Sequence, residues 1–271
     1  MEKQIDLSEF WQRRSRKYGR AMEGVLCRSW PVCLNRYLHR WTWMKVRGVV
    51  ENKSGMRVLD SGCGYGRLSA ELLREFPKVS VYGVDISRNY VEIFNKDLGS
   101  KGKALVGDVR RLPFKDNYFD GEFVVTIFTH LKSEDDLRKA FSEMMRVIKP
   151  GGKFVVIERH PVGYAIVTVG GLAEKLKPGR GERIEGLVGF RIDLVKSLVR
   201  QNGGEVRGVV GMPLVTILLP FLMVLSLLSL GLVEMVLKLV LGVDERLGKL
   251  PLPSLYYAYS GIKLKNRGVN R

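Results

Sequence analysis

The 271-residue sequence predicts an α/β fold, a mostly parallel sheet covered by helices on both faces. Two observations carry that reading. Short apolar runs ending near Asp60, Val84, Gly107 and Phe128 alternate with stretches of helical periodicity. Three of those runs lead into an aspartate (Asp60, Asp85, Asp108), and the first continues into a turn with glycines at 62, 64 and 66. Ligands of open α/β sheets sit beyond the carboxyl ends of the strands, so Asp60, Asp85, Asp108 and the segment Thr126 to His130 gather at one rim.

Residues 1–51 read as an N-terminal helical segment and residues 52–271 as the domain that follows. Asp6 with Glu9 is a capping pair that opens a helix through F-W-Q-R-R-S-R-K-Y-G-R-A-M-E. Phe10, Trp11, Tyr18, Met22, Val25 and Leu26 lie roughly along one side, with Arg13, Arg14, Arg16, Lys17 and Arg20 elsewhere. Such a helix is a membrane-surface anchor, a flap over a pocket, or a solvated helix packed on the domain. Leu34, Tyr37, Leu38, Trp41 and Met44 recur at helical spacing before the turn Asn52 to Gly55. Trp41 and Trp43 read as core and rim, and His39 as helix surface.

The alternating unit then runs strand Met56 to Asp60, helix Gly66 to Glu75, strand Val79 to Val84, helix Ser87 to Leu98 and strand Leu105 to Gly107. A strand from Glu122 to Phe128 follows, then a helix from Ser133 to Ile148 with a Ser133/Asp136 capping pair and a fifth strand ending near Glu158. The glycine-rich stretch Pro161 to Gly189 carries no assignment. Beyond it come a helix, Phe190 to Gln201, a strand, Val206 to Val210, and a last strand with alternating aromatics, Leu255 to Leu264.

Between those last two strands the chain has no charged residue from Gly208 to Val233, and only Glu234 and Lys238 interrupt the apolar character up to Val243. By length this insertion, about residues 211–243, is a candidate membrane span. Pairing of the flanking strands in one sheet excludes an odd number of crossings. A helical hairpin broken at Pro220 or near Gly231 is expected instead. Arms of about 15 residues reach roughly 22 Å, short of a hydrocarbon core of about 30 Å. The hairpin therefore dips into or lies on a membrane, or else forms buried helices that cap the site or meet a second copy of the chain.

The net charge of +17 draws the chain toward polyanions, either nucleic acid or the anionic face of a membrane. Three cysteines make no disulfide framework, and the first residues contain no secretory apolar region, which points to a cytoplasmic setting. Cys27 and Cys33 lack partners at metal-ligand spacing, so no metal is expected.

The glycine turn departs from two nucleotide-binding patterns. A dinucleotide fingerprint needs a third glycine where Arg67 stands, and a phosphate loop needs G-K-[ST]. The ordered set V-L-D-S-G-C-G-Y-G, G-V-D-I-S, G-D-V-R-R-L-P-F, F-D-G-E-F-V-V and R-V-I-K-P-G-G-K-F resembles the type 11, ubiquinone/menaquinone-biosynthesis-like branch of the class I S-adenosylmethionine (SAM) methyltransferases. The likeness is close over residues 52–160. It implies a Rossmann-like seven-stranded sheet closed by an antiparallel pair, with N-terminal helices and the hydrophobic insertion between the last two strands. It also implies SAM as cofactor. In that resemblance Asp60 and the backbone of Gly62 and Gly64 hold the methionine portion, Asp85 the ribose, and Asp108 with the Val109 amide the adenine, with Gly66 and Ile86 also in the cofactor-binding set. Thr126 closes the set at the end of strand four, and Tyr18 is the candidate to cover the cofactor.

Methyl transfer from a sulfonium needs positioning and exclusion of water more than a strong acid. Where the acceptor must lose a proton, His130 is the catalytic candidate, with a structural duty as the alternative; His160 and Glu158 follow strand five. The expected function is methyl transfer to a lipophilic small molecule of quinone, polyprenyl or lipid type, by a cytoplasmic, peripherally membrane-associated enzyme. An RNA methyltransferase and a membrane-associated SAM-binding protein without catalysis are the alternatives, and the oligomeric state stays open.

Overall fold

The computed structural model describes residues 6–27, 30–51, 53–131, 133–161, 190–250 and 252–265. Apart from Pro161, the unassigned glycine-rich stretch lies outside the described residues, as does Asn52.

Strands β1 (Arg57–Ser61), β2 (Ser80–Asp85), β3 (Gly102–Val106), β4 (Phe119–Val125), β5 (Ile148–Arg159), β6 (Gly204–Gly211) and β7 (Tyr256–Lys263) form one sheet in the order β3-β2-β1-β4-β5-β7-β6. The first five run parallel, and β7 is antiparallel to both β5 and β6. Val58, Leu59, Val81, Val84, Phe123, Val124, Val155 and Val156 are buried, which is why these strands read as near-continuous apolar runs. The strand order reverses between β1 and β4, and that switch point places the rim of the site.

Helices α1 (Leu7–Tyr18), α2 (Val32–Val46), α3 (Arg67–Glu75), α4 (Arg88–Leu98), α5 (Glu134–Val147), α6 (Ile192–Gln201), α7 (Pro213–Leu228) and α8 (Leu230–Leu247) accompany the sheet, with short 3-10 turns between elements. Both sequence-read caps form: Asp6 accepts from the Ser8 amide at 2.8 Å and Ser133 Oγ from the Asp136 amide at 3.0 Å. Helix α5 buries Leu137, Phe141 and Met144, and α2 buries Leu34, Tyr37, Leu38 and Trp41. His39 differs from its expected surface position: it is half-buried, hydrogen-bonded to Glu71 at 2.9 Å and in contact with Arg67.

The end of one strand also differs from the sequence reading. Strand β4 ends at Val125, three residues before Phe128, because Thr126 turns to a φ of +54° and the chain continues as a 3-10 turn over Phe128–His130. Of the two expected break points of the hairpin, the one near Gly231 forms: the chain turns at Ser229, whose Oγ accepts from the Leu232 amide at 3.2 Å. Pro220 lies inside α7 with its ring on the exposed side, and Gly231 belongs to the first turn of α8.

The hairpin packs inward and is bare outward. Val215, Leu219, Leu222, Val233, Leu237 and Val240 join the core that contains α2. At its base the buried Asp244 accepts from the amides of Leu214 (2.5 Å) and Val215 (3.0 Å) and from Tyr37 Oη (2.6 Å). A carboxylate from α8 thus caps the start of α7 and ties both to α2. Lys45 adds a bond to Glu245 at 2.6 Å. The outer face exposes Ile217, Phe221, Val224 and Leu228 of α7 beside Leu232, Met235, Leu239 and Val243 of α8; Leu228 is 82% and Leu239 71% exposed. The helices are about 24 Å and 27 Å long at 1.5 Å per residue. Among the described residues, no helix is long and apolar enough to cross a membrane.

Candidate active site

The turn after β1 is shaped by three glycines with positive φ: Gly62 (+80°), Gly64 (+52°) and Gly66 (+85°). The amides of Gly62 and Cys63 both donate to the Val84 carbonyl, at 2.7 and 3.0 Å, which folds the turn back on β2. A Cβ on Gly62 would collide with the Ile127 side chain, and one on Gly64 would stand 3.0 Å from Val25 Cγ1. Gly66 serves packing instead, since its Cβ would meet Phe94 of α4 at 2.8 Å. The turn therefore shows bare backbone beneath two movable aliphatic side chains.

The sequence-read carboxylates divide by environment. Asp85 is half-buried at the end of β2 and accepts from the amides of Gly64 and Ser87, both at 2.8 Å; burial pushes its pKa up to about 6. Asp60 is only 5% exposed and accepts from Ser69 Oγ at 2.6 Å, so its carboxyl lies beneath the turn, where burial pushes it up to about 7. Asp108 faces Arg110, which reaches it through its amide and through Nη2 at 2.6 Å and bridges on to Asp136 at 3.0 Å. Burial opposes ionisation of Asp108, but these bonds hold its pKa below the usual range. Ile86 is half-buried, and Val109 packs with Phe128 and Leu131.

Across the switch point, the ends of β4 and β5 build a second wall. Thr126 holds its strained backbone by donating its amide to the Ile157 carbonyl at 2.7 Å. Glu158, fully enclosed, accepts from the amides of Ile127 (3.0 Å), Phe128 (2.8 Å) and Thr129 (3.3 Å). Burial pushes Glu158 up to about 8 against the pull of those three donors. His130 meets the Trp11 ring edge to face at 5.3 Å, and its buried Nδ1 has no partner among the described residues. Burial, then Arg159 and Arg14, push the imidazole down to about 3. A neutral ring with so weak a basicity suits hydrogen bonding and positioning better than proton abstraction.

Helix α1 crosses this rim. Ser87 Oγ lies 2.9 Å from Ser15 Oγ and 3.3 Å from Gln12 Oε1, and Arg14 donates to the carbonyls of Gly24, Glu23 and Leu26 at 2.7 to 2.8 Å. Tyr18 ends the helix beside Gly24 and carries Lys17 over its ring at 5.5 Å; Trp11 is the aromatic residue that reaches His130. Trp11, Gln12, Ser15 and Arg159 are site residues that the sequence reading did not single out. Their signal is confined to the helix periodicity around Trp11 and the end of the fifth strand. Among the described residues, no group of three or more His, Cys, Asp or Glu could hold a metal ion.

Residues 59–156 match the family model described as a methyltransferase domain. Demethylmenaquinone methyltransferase of Desulfitobacterium hafniense is 37% identical over 115 residues, which are 40% of this chain and 44% of that protein. Over that stretch the chain is similar to methyltransferases named for menaquinone and ubiquinone biosynthesis. A tRNA (carboxymethyluridine(34)-5-O)-methyltransferase of Arabidopsis thaliana is 36% identical over 116 residues, 42% of this chain and 27% of that protein. The chain spans less than half the length of either of these two relatives. Geranyl diphosphate C-methyltransferase of Streptomyces coelicolor superposes with a TM-score of 0.60 at 17% identity, over 85% of this chain and 81% of that one, a likeness of fold. The rim fits SAM: the glycine turn offers bare backbone beneath the movable Ile127 and Val25 side chains, and the buried Tyr90 hydroxyl and His130 Nδ1 stand there without partners among the described residues.

Proposed function

We propose that this methyltransferase moves the methyl group of SAM to a lipophilic small molecule at a membrane surface. The observation that carries the reading is the outward face of α7 and α8, a continuous apolar surface on a helix pair whose inner face is core. Around it Arg36, Lys238, Arg246 and Lys249 are exposed, and the whole chain carries +17. Each well-placed cation adds about 1 kcal/mol near anionic lipid. The hairpin base also adjoins the site, since Thr216 Oγ1 accepts from the Leu255 amide at 2.8 Å one residue before β7. The Desulfitobacterium relative, named for a quinone acceptor, supports the same class.

SAM supplies a methyl group already activated by its positive sulfur. The chain's own part is binding and exclusion of water. The Gly62 to Gly64 backbone and Asp85 hold the cofactor side, with Asp108 and the Val109 amide at the next strand end. Ile127, Val25 and Trp11 close the rim against solvent, and His130 offers a neutral ring to the acceptor.

Incubation with methyl-labelled SAM and an extract of the source cells tests the reading. Label is expected in the organic-soluble fraction. The +17 charge and the Arabidopsis relative favour a second reading, an RNA methyltransferase, and label in the RNA fraction would establish it instead. SAM binding with no labelled product in any fraction would leave a binding protein without catalysis.

A further inference from the structure

Arg159 ends β5 at the rim, and among the described residues no carboxylate pairs with it. It is partly buried, and its one polar partner among the described residues is Tyr256 Oη, 3.3 Å from Nε, with the guanidinium 5.9 Å from the Tyr256 ring. The terminal nitrogens have no protein acceptor among the described residues, and they are not sealed from solvent. The neighbouring carboxylate cannot serve: Glu158 points to the other face of the strand and is occupied by the three amides of residues 127–129. Partly enclosed arginines are ordinarily paired, and a fork of free donors matches a carboxylate or phosphate. Arg159 also lies within electrostatic reach of His130, the ring already placed at the acceptor side.

The face that Arg159 shares with Val155 and Ile157 leads into apolar surroundings. Its pairing partner on β7, Tyr256, follows Leu255, which with Trp30, Leu34, Met212 and Leu219 lines a small cavity between α2 and the base of the hairpin. A cation whose terminal nitrogens have no acceptor among the described residues thus stands one residue along β7 from an apolar recess. We infer that the acceptor is an amphiphile carrying an oxyanion, a phosphate or carboxylate, which Arg159 binds while the apolar body lies toward the hairpin base. The inference rests on the methyltransferase reading of the site and adds the charge of its substrate.

Calorimetric titration of the full chain, saturated with S-adenosylhomocysteine, with dodecyl phosphate, dodecanoate and dodecanol below their aggregation limits tests it. The two anions are expected to bind on the order of tenfold or more tightly than the alcohol. Arg159→Gln should abolish that preference, Arg159→Lys should keep part of it, and Lys139→Gln, at an exposed position of α5, should leave it intact. Comparison of phosphate with carboxylate identifies the oxyanion. Dodecanol binding as tightly as the anions, or a preference retained by Arg159→Gln or lost equally in Lys139→Gln, would overturn the inference. If Arg159→Gln does not fold, Arg159→Lys decides, since a preference undiminished in it would overturn the inference. A separate SAM titration keeps the two ideas apart, since failure to bind SAM sinks the methyltransferase reading and leaves the head-group preference to its own result.

Discussion

Glu122 is fully buried on β4, with Ser61 Oγ donating to Oε1 at 2.7 Å and Oε2 without a partner among the described residues, and burial pushes its pKa well above the carboxylate range. Glu158, raised to about 8, and Asp60, raised to about 7, share its sign. A raised folded pKa means that the native state holds a proton the unfolded chain has released, so stability falls as pH rises through the folded value. His130 works the other way: its depressed pKa gives stability present above the ordinary value of 6.5 and lost as pH falls toward about 3. Above pH 6.5 the carboxyl groups act unopposed by His130. The melting temperature of the unliganded protein is therefore expected to fall between pH 6.5 and 8. Glu122→Gln should flatten that fall, leaving the variant on the order of 2 to 4 °C above wild type at pH 8. Gly62→Ala tests the turn, since the new methyl would meet Ile127 at a φ of +80°. A cost of about 1 to 3 kcal/mol in thermal unfolding is expected, with weakened SAM binding in titration.

Helices α7 and α8 separate packing from surface within one element pair. Leu222 is fully buried in the core, so Leu222→Ala should cost about 2 to 5 kcal/mol in denaturant unfolding. Leu228→Ser and Leu239→Ser change exposed positions and should stay within about 0.5 kcal/mol, while vesicle flotation on anionic lipid falls. Unchanged flotation of the double variant would remove the membrane reading. The hairpin itself was legible in the sequence as an uncharged run between two strands that pair, and of its two expected breaks the one near Gly231 forms, at Ser229, while Pro220 does not interrupt the helix. A proline interior to a helix ordinarily stops it. Here Leu219 and Leu222, on either side of Pro220, are anchored in the core, and the ring faces outward, so tertiary packing carries the helix past it. The end of β4 was hidden similarly, because Thr126 is β-branched and reads as strand, and only the contacts of Ile157 and Glu158 turn it.

Over the whole molecule, the alternating sheet and the gathering of Asp85, Asp108 and the glycine turn were legible because each lies within one short motif. The rim's cover was not, because Ser15 meets Ser87 and Trp11 meets His130 across 72 and more than a hundred residues of chain respectively, and neither contact leaves a local pattern. Asp60 shows the limit from the other side: its motif was visible, but its burial beneath the turn depends on Ser69 and the start of α3. Since α1 buries only Phe10 and Ser15 among its residues, removal of residues 1–18 should lower the melting temperature little while weakening SAM binding. Equal loss of both would show that α1 is part of the core. Asp244 gives the hairpin a mechanical character. Both arms and α2 are pinned at one carboxylate, and the tip at Ser229 is exposed about 20 Å away at 1.5 Å per residue. Load applied at the tip is levered onto that single clasp and onto Tyr37, so seating of the tip in a surface is felt first at α2 and at Leu255 beside the rim.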